Sequence, residues 1–186
     1  MKKILLPMIF IFTLQSKAAD TFNFRFSPVL VLVGAAAVNL DIAVSNSITI
    51  GPQLLYWNLN LKQTGTSTQQ YDYKIKASSY GVRLNWFKNN IYTDGLYLGL
   101  AATRSSVSVE EKTTTTSGSS SGTSISALAG YGWFWNSFNQ MLGAGFSTSA
   151  GDTKIEIKDS NGTITDSVSS PSSANFTLEY SLGWTF

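Results

Sequence analysis

The chain has 186 residues, 13 basic against 11 acidic, with no cysteine and no histidine. The missing cysteines rule out a disulfide framework, the absence of both residue types removes the usual zinc sites, and a net charge of +2 offers no basic patch for nucleic acid. Charged residues make up 13% of the chain, against about 25% in an ordinary soluble domain, so much of the surface is expected to face something other than water.

Met1-Lys2-Lys3 is a short positive start, and Ile4 to Leu14 is apolar with Pro7 inside it. Ser16-Lys17-Ala18 follows with small residues at the two cleavage positions. Residues 1–18 therefore read as a secretory signal peptide, cut near Ala18 or Ala19. The apolar stretch is too short for a membrane anchor, which needs roughly 20 residues. Residues 19–186 then form one domain. Without Lys2, Lys3 and Lys17 it carries 10 basic and 11 acidic residues, a net −1.

Eight segments show the period of two that marks a β-strand with unlike faces. The first, Phe22 to Val33, sets Phe22, Phe24, Phe26, Pro28, Leu30 and Leu32 against Asn23, Arg25 and Ser27. Gly34-Ala35-Ala36 turns the chain tightly. The second, Ala37 to Val44, sets Val38, Leu40, Ile42 and Val44 against Asn39, Asp41 and Ala43. Pro28 to Val44 also reads as one long apolar segment, but its valines and the polar pair Asn39 and Asp41 argue against a membrane-spanning helix.

The third segment, Ser47 to Leu61, changes phase between Ile48 and Ile50 on one side and Leu55, Trp57, Leu59 and Leu61 on the other, which a β-bulge near Gly51-Pro52 would reconcile. After a polar loop from Lys62 to Gln70, the fourth segment runs from Tyr71 to Phe87. The fifth is Gly95 to Val109. Glu110 to Gly122 contains TTTTSGSSSG and reads as a polar loop. The sixth, Thr123 to Trp135, places Ile125, Ala127, Ala129, Tyr131, Trp133 and Trp135 on one face. The seventh starts at Gln140 and is extended through Lys154 to Asp159. Asn161-Gly162 is a hairpin signal, because both central residues of such a turn need φ > 0. The eighth returns to end at Phe186.

Turns after the second, fourth and sixth strands are short, and those after the third, fifth and seventh are long and polar. That alternation is the pattern of a transmembrane barrel. Only a closed ring of strands satisfies every backbone group in lipid, and about 9–11 tilted residues cross the hydrocarbon. Trp86, Trp133, Trp135, Trp184 and Phe186 fall beside short turns or the C-terminus, as membrane-interface aromatics do. Tyr56, Trp57, Tyr71 and Tyr80 are candidates for the other boundary. A soluble sandwich or lipocalin-like barrel would alternate too, but its second face would seldom be so rich in glycine and small polar residues.

The signal peptide, eight alternating segments and the terminal Tyr180-Ser181-Leu182-Gly183-Trp184-Thr185-Phe186 resemble small bacterial outer-membrane proteins, a plan shared by the OmpA transmembrane domain, OmpX and OmpW. The resemblance implies an eight-stranded antiparallel transmembrane β-barrel in the outer membrane with both termini periplasmic. It also implies that the terminal aromatic strand is recognised by the barrel-assembly machinery.

With the aromatic phase outward, Arg25, Asp41, Arg83 and Glu179 face the lumen. An unpaired charge there is costly, so Arg25 is expected to pair with Glu179 across the closure and with Asp41, Arg83 lying nearby. An eight-stranded ring is just filled by its own side chains, so no open pore is expected. Barrel enzymes working through a histidine are excluded, and Asp41 and Glu179 are the one lumenal acid pair. The Asp152–Asp166 region is weighed as a calcium site, but no metal or cofactor is assigned. Lys62, Lys74, Lys76, Arg104, Lys112, Lys154 and Lys158 lie on the long-loop side as candidate lipopolysaccharide contacts. The expectation is a monomeric, non-catalytic barrel with a structural or surface role. The competing reading is a narrow conduit for small or apolar solutes, by analogy with OmpW.

Overall fold

The computed structural model describes residues 21–64, 70–111, 117–149, 153–158, 163–170 and 173–186. The signal-peptide reading of residues 1–18 and the Asn161-Gly162 hairpin lie outside them. The described elements are β1 (Phe22–Phe26), α1 (Pro28–Leu32), β2 (Ala35–Ser45), β3 (Ile48–Thr64), β4 (Gln70–Phe87), β5 (Gly95–Glu111), β6 (Ser117–Trp135), β7 (Phe138–Ser149), β8 (Thr153–Lys158), β9 (Ile164–Ser170) and β10 (Ala174–Thr185).

Eight of these strands close an antiparallel ring in the order β5-β4-β3-β2-β1-β10-β7-β6, with β6 returning to β5. Closure pairs the strands around the ring and removes the long free edges of an open sheet, although β1 pairs with β10 only as far as Phe26–Leu182. The remaining two continue the seventh and eighth segments of the sequence. β8 takes over from β7 along the far end of β6, pairing Lys154–Lys158 with Ser117–Ser121, and β9 leads back into β10. Phe186 lies beside Phe22, whose N–H donates to its carbonyl at 3.0 Å.

The alternation is expressed on two surfaces. Outward positions include Tyr80, Val82, Leu84 and Trp86 on β4, Leu96, Leu98 and Leu100 on β5, and Leu142 and Phe146 on β7, all exposed. Their apolar belt gives way to Ser78 and Lys76 on β4, Arg104 on β5 and Thr123 on β6. Many inward positions are small or polar: Ser79 bonds Ser105 at 3.0 Å and Thr103 bonds Ser124 at 2.8 Å.

Four expectations from the sequence are corrected. The stretch from Pro28 to Leu32 is a one-turn helix, not the end of a strand, and the link after β1 belongs with the long ones. Proline has no N–H for a ladder but suits the first helical position; Gly34, at φ 79°, ends the turn.

Second, no bulge forms at Gly51-Pro52: β3 keeps one register against β4 throughout, and the irregularity sits at Ala43/Ser45. Ile48, Ile50, Leu54 and Tyr56 therefore share the outer phase, whereas Leu55, Trp57 and Leu59 share the inner one. Trp57 is an inward residue, not a boundary aromatic; its indole N–H donates to the Val33 carbonyl at 3.2 Å.

Third, the polar loop after β5 is shorter than composition suggests, because Ser117–Gly122 is strand. These residues bury little, but their backbone pairs with β5 and β8 on both sides. Fourth, β3 continues to Thr64 and β4 begins at Gln70, which shortens the loop between them.

Candidate functional site

Arg25, Asp41, Arg83 and Glu179 meet in the half of the lumen nearest the short turns. Backbone register alone does not bring them together. Arg25 stands opposite Gly183 on β10 and Asn39 on β2, so its long side chain reaches diagonally to both acids. Its Nε and Nη2 donate to Asp41 Oδ2 and Oδ1 at 2.7 and 3.1 Å, a bidentate pair. Its Nη1 donates to Glu179 Oε1 at 2.8 Å and to Ser181 Oγ at 3.1 Å. Arg83 Nη1 donates to the other oxygen of Glu179, and Arg83 Nε donates to Asn85 Oδ1 at 2.7 Å. Arg25 is fully buried, Asp41 is 1% and Arg83 4% exposed, and the Glu179 side chain is 17% exposed. Two cations and two carboxylates make the group neutral.

An amide and hydroxyl shell surrounds this cluster, and the sequence did not single it out. Asn85 donates to Asp41 Oδ1 at 3.0 Å and Thr49 at 3.3 Å, and Asn139 donates to Asn23 at 2.8 Å. The available signal was phase: Asn23 and Asn85 stand two residues from Arg25 and Arg83, on the same face of their strands. Three interior polar atoms, Arg83 Nη2, Tyr97 Oη and Asn139 Oδ1, have no protein partner among the described residues. Each lies where a glycine makes room. A Cβ built on Gly99, Gly143 or Gly183 would stand within 2.9 Å of the respective atom.

Below the charges, Phe87, Tyr97 and Met141 form a buried apolar layer with Ile91, Leu128 and Phe134 against it. The Lys88–Asp94 turn folds under this layer. Ile91 N–H donates to the Asn46 carbonyl at 2.8 Å, Tyr92 Oη to the Asp41 carbonyl at 3.2 Å, and Phe134 N–H to Asp94 Oδ1 at 2.7 Å.

Trp86, Trp133, Trp135, Trp184 and Phe186 all take the outward phase at the short-turn end. Several rings pack on one another there: Trp135 on Phe138 at 5.9 Å, Phe138 on Trp184 at 5.4 Å, and Phe22 on Phe186 at 6.1 Å. Tyr56 and Tyr80 lie at the upper margin of the belt; the side chain of Tyr71 lies outside the described residues.

Of the seven basic residues, Lys74, Lys76 and Arg104 take the outward phase on adjacent strands just above the belt, with Arg104 directly across from Tyr80. Lys158 stands 3.8 Å from Glu156 on β8. Lys112 and the side chains of Lys62 and Lys154 lie outside the described residues, as do most side chains of the weighed calcium region. Among the described residues no group of three or more metal-ligating side chains occurs. Comparison with protein-family models and with curated proteins finds no match.

Proposed function

We propose that this chain is an integral outer-membrane barrel with a structural and surface-interactive role, without catalysis and without an open conduit. The observation that carries the reading is the apolar outer phase of the ring strands across the belt, set against a lumen that holds a neutral, interlocked charge group. An apolar exterior belongs in hydrocarbon, where a closed ring satisfies its own backbone. The charge group and the apolar layer of Phe87, Tyr97 and Met141 across the short-turn half of the lumen would oppose passage of hydrated solutes. The two lumenal acids are engaged by arginines, which leaves neither free as a general base.

The surface role rests on the long-loop rim. Lys74, Lys76 and Arg104 take the outward phase from the level of Tyr80 upward, so lipopolysaccharide is the proposed partner through charge pairing. Insertion would proceed through the barrel-assembly machinery after export, and the barrel would act as a monomer.

Single-channel recording in planar bilayers tests the closed lumen. Electrical silence is expected; discrete conductance steps would favour the conduit reading instead. Lipopolysaccharide binding by the variant K74Q/K76Q/R104Q should fall relative to wild type, and equal binding would remove that partner.

A further inference from the structure

The wall of the ring has a side opening, and one residue accounts for it. Phe22 and Phe186 exchange both backbone bonds, at 3.0 and 2.9 Å. In an antiparallel pair that exchange recurs at every second residue. After Phe26 and Leu182 the next such pair would be Pro28 and Tyr180. Proline has no N–H to give the Tyr180 carbonyl. The β1–β10 ladder accordingly ends at Phe26–Leu182. Among the described residues, no backbone hydrogen bond joins the segment Ser27–Gly34 to β10.

The chain leaves the wall there as α1, while β10 continues upward through Tyr180, Leu178 and Phe176. A missing strand leaves about 10 Å between its former neighbours, twice the usual spacing. The opening lies within the apolar belt, since Leu178 stands opposite Ala144, between the outward Leu142 and Phe146. A free strand edge at that depth is tolerated only where protein covers it or water lines it. α1 rests against β2 and β10 but buries none of its residues.

Behind the opening lies a cavity of ≈ 460 Å³, inside the ~300–1,000 Å³ range of small-molecule sites. Its inner lining includes Gln53, Ser79, Arg83 and Glu179, and its outer lining includes Leu54 and Leu178. The outer leucines are 54% and 70% exposed. One continuous space thus runs from an aliphatic outer face to a hydrogen-bonding interior.

We propose that this notch is a side-facing binding site for a single-chain amphiphile with an uncharged hydroxyl- or amide-bearing head. The chain lies along Leu54 and Leu178 on the lipid side. The head passes α1 and exchanges hydrogen bonds with Gln53, Ser79 and the free edge of β10. An uncharged head fits because Arg25 and Arg83 are already matched by Asp41 and Glu179, so a further charge would be buried without a counter-ion. A single chain fits because the space left by one strand is already shared with α1, which rests against both flanking strands. The proposal rests on the reading of the belt as lipid-embedded.

The test uses the full barrel in lipid nanodiscs, a monoacylglycerol carrying a diazirine in its chain, and peptide mapping of the photo-adducts. Adducts that unlabelled monoacylglycerol competes away are expected on Pro28–Leu32 and Thr177–Tyr180. Filling the cavity with Gln53→Trp should reduce them about tenfold or more, a change of the size expected when a bound group loses its site. Heat-modifiable migration shows that the variant is folded, and Ser79→Phe serves if Gln53→Trp is not. Uncompeted labelling spread evenly over belt residues such as Leu98 and Leu142 would reduce the notch to ordinary lipid contact and overturn the proposal. So would competed labelling that persists in a folded, cavity-filled variant. Equal competed labelling by the matching fatty acid would overturn the uncharged head. Failure of the membrane reading itself is a separate result: the protein would not float with vesicles at all.

Discussion

Replacing Arg25 with methionine tests the lumenal charge group directly. Arg25 is fully buried and makes four charge-group contacts: two to Asp41, one to Glu179 and one to Ser181. Arg25→Met keeps much of the side-chain length but strands Asp41, which is 1% exposed and would retain only the amides of Asn85 and Asn23, at 3.0 and 3.4 Å. Glu179 keeps Arg83. Removing one partner of a buried pair costs about 3–5 kcal/mol. For a domain of this size that corresponds to roughly 6–20 °C in melting temperature.

Charge balance supplies the internal control. Arg25→Met leaves the group at −1, whereas adding Asp41→Asn restores neutrality with Arg83 and Glu179 still paired. The double variant should therefore be more stable than the sum of the two single losses predicts. Boiling-dependent gel migration over a temperature series, together with urea unfolding from vesicles, reads both quantities. A single variant melting within about 2 °C of wild type, less than the shift of one kcal/mol, would refute the reasoning. Strictly additive losses would do the same, because they would mean the groups are solvated separately.

Leu98→Arg, in the middle of the outer belt, should cost about 2–4 kcal/mol in vesicle-folding titrations, while Ser106→Arg above the belt should cost about 0–1; equal losses would contradict a lipid-facing belt. Gly99→Ala places a methyl 2.9 Å from Arg83 Nη2 and 3.0 Å from Asn85 Oδ1, and this overpacking should lower the urea midpoint by the equivalent of about 1–3 kcal/mol; an unchanged midpoint would mean the charge group yields easily. Pro28→Val restores the N–H that the Tyr180 carbonyl lacks, so hydrogen exchange should slow at Tyr180 as β1 lengthens; unaltered exchange would show that something other than proline stops the ladder.

Strand content was legible because a two-sided strand writes its period into the chain. The outward phase of the sixth segment, from Ile125 to Trp135, stands in the structure as the alternation has it, and Trp86, Trp135 and Trp184 fall at strand ends because those ends border short turns. The third segment misled, since Leu55, Trp57 and Leu59 are apolar yet take the inward phase, with the Trp57 indole on the Val33 carbonyl and Leu59 beside Gly34. Hydrophobicity alone does not report which side of a wall an apolar residue faces when the inner side offers apolar contacts as well. The Ser117–Gly122 strand was hidden for a related reason: its partners are backbone groups, and serine and glycine carry no periodic signal.

The chain's own order of residues determined the number of ring strands, the phase of most of them and the stock of lumenal charges, because these depend on neighbours one or two positions apart. Pro28 likewise carried its local consequence, the loss of one donor. Closure of the ring was needed to decide the rest. Only then do Arg25 and Glu179, 154 positions apart, become partners, and only then does the missing donor turn into an opening. Diagonal reach between side chains and a gap between first and last strands are properties of the curved wall, and no local stretch of sequence contains them.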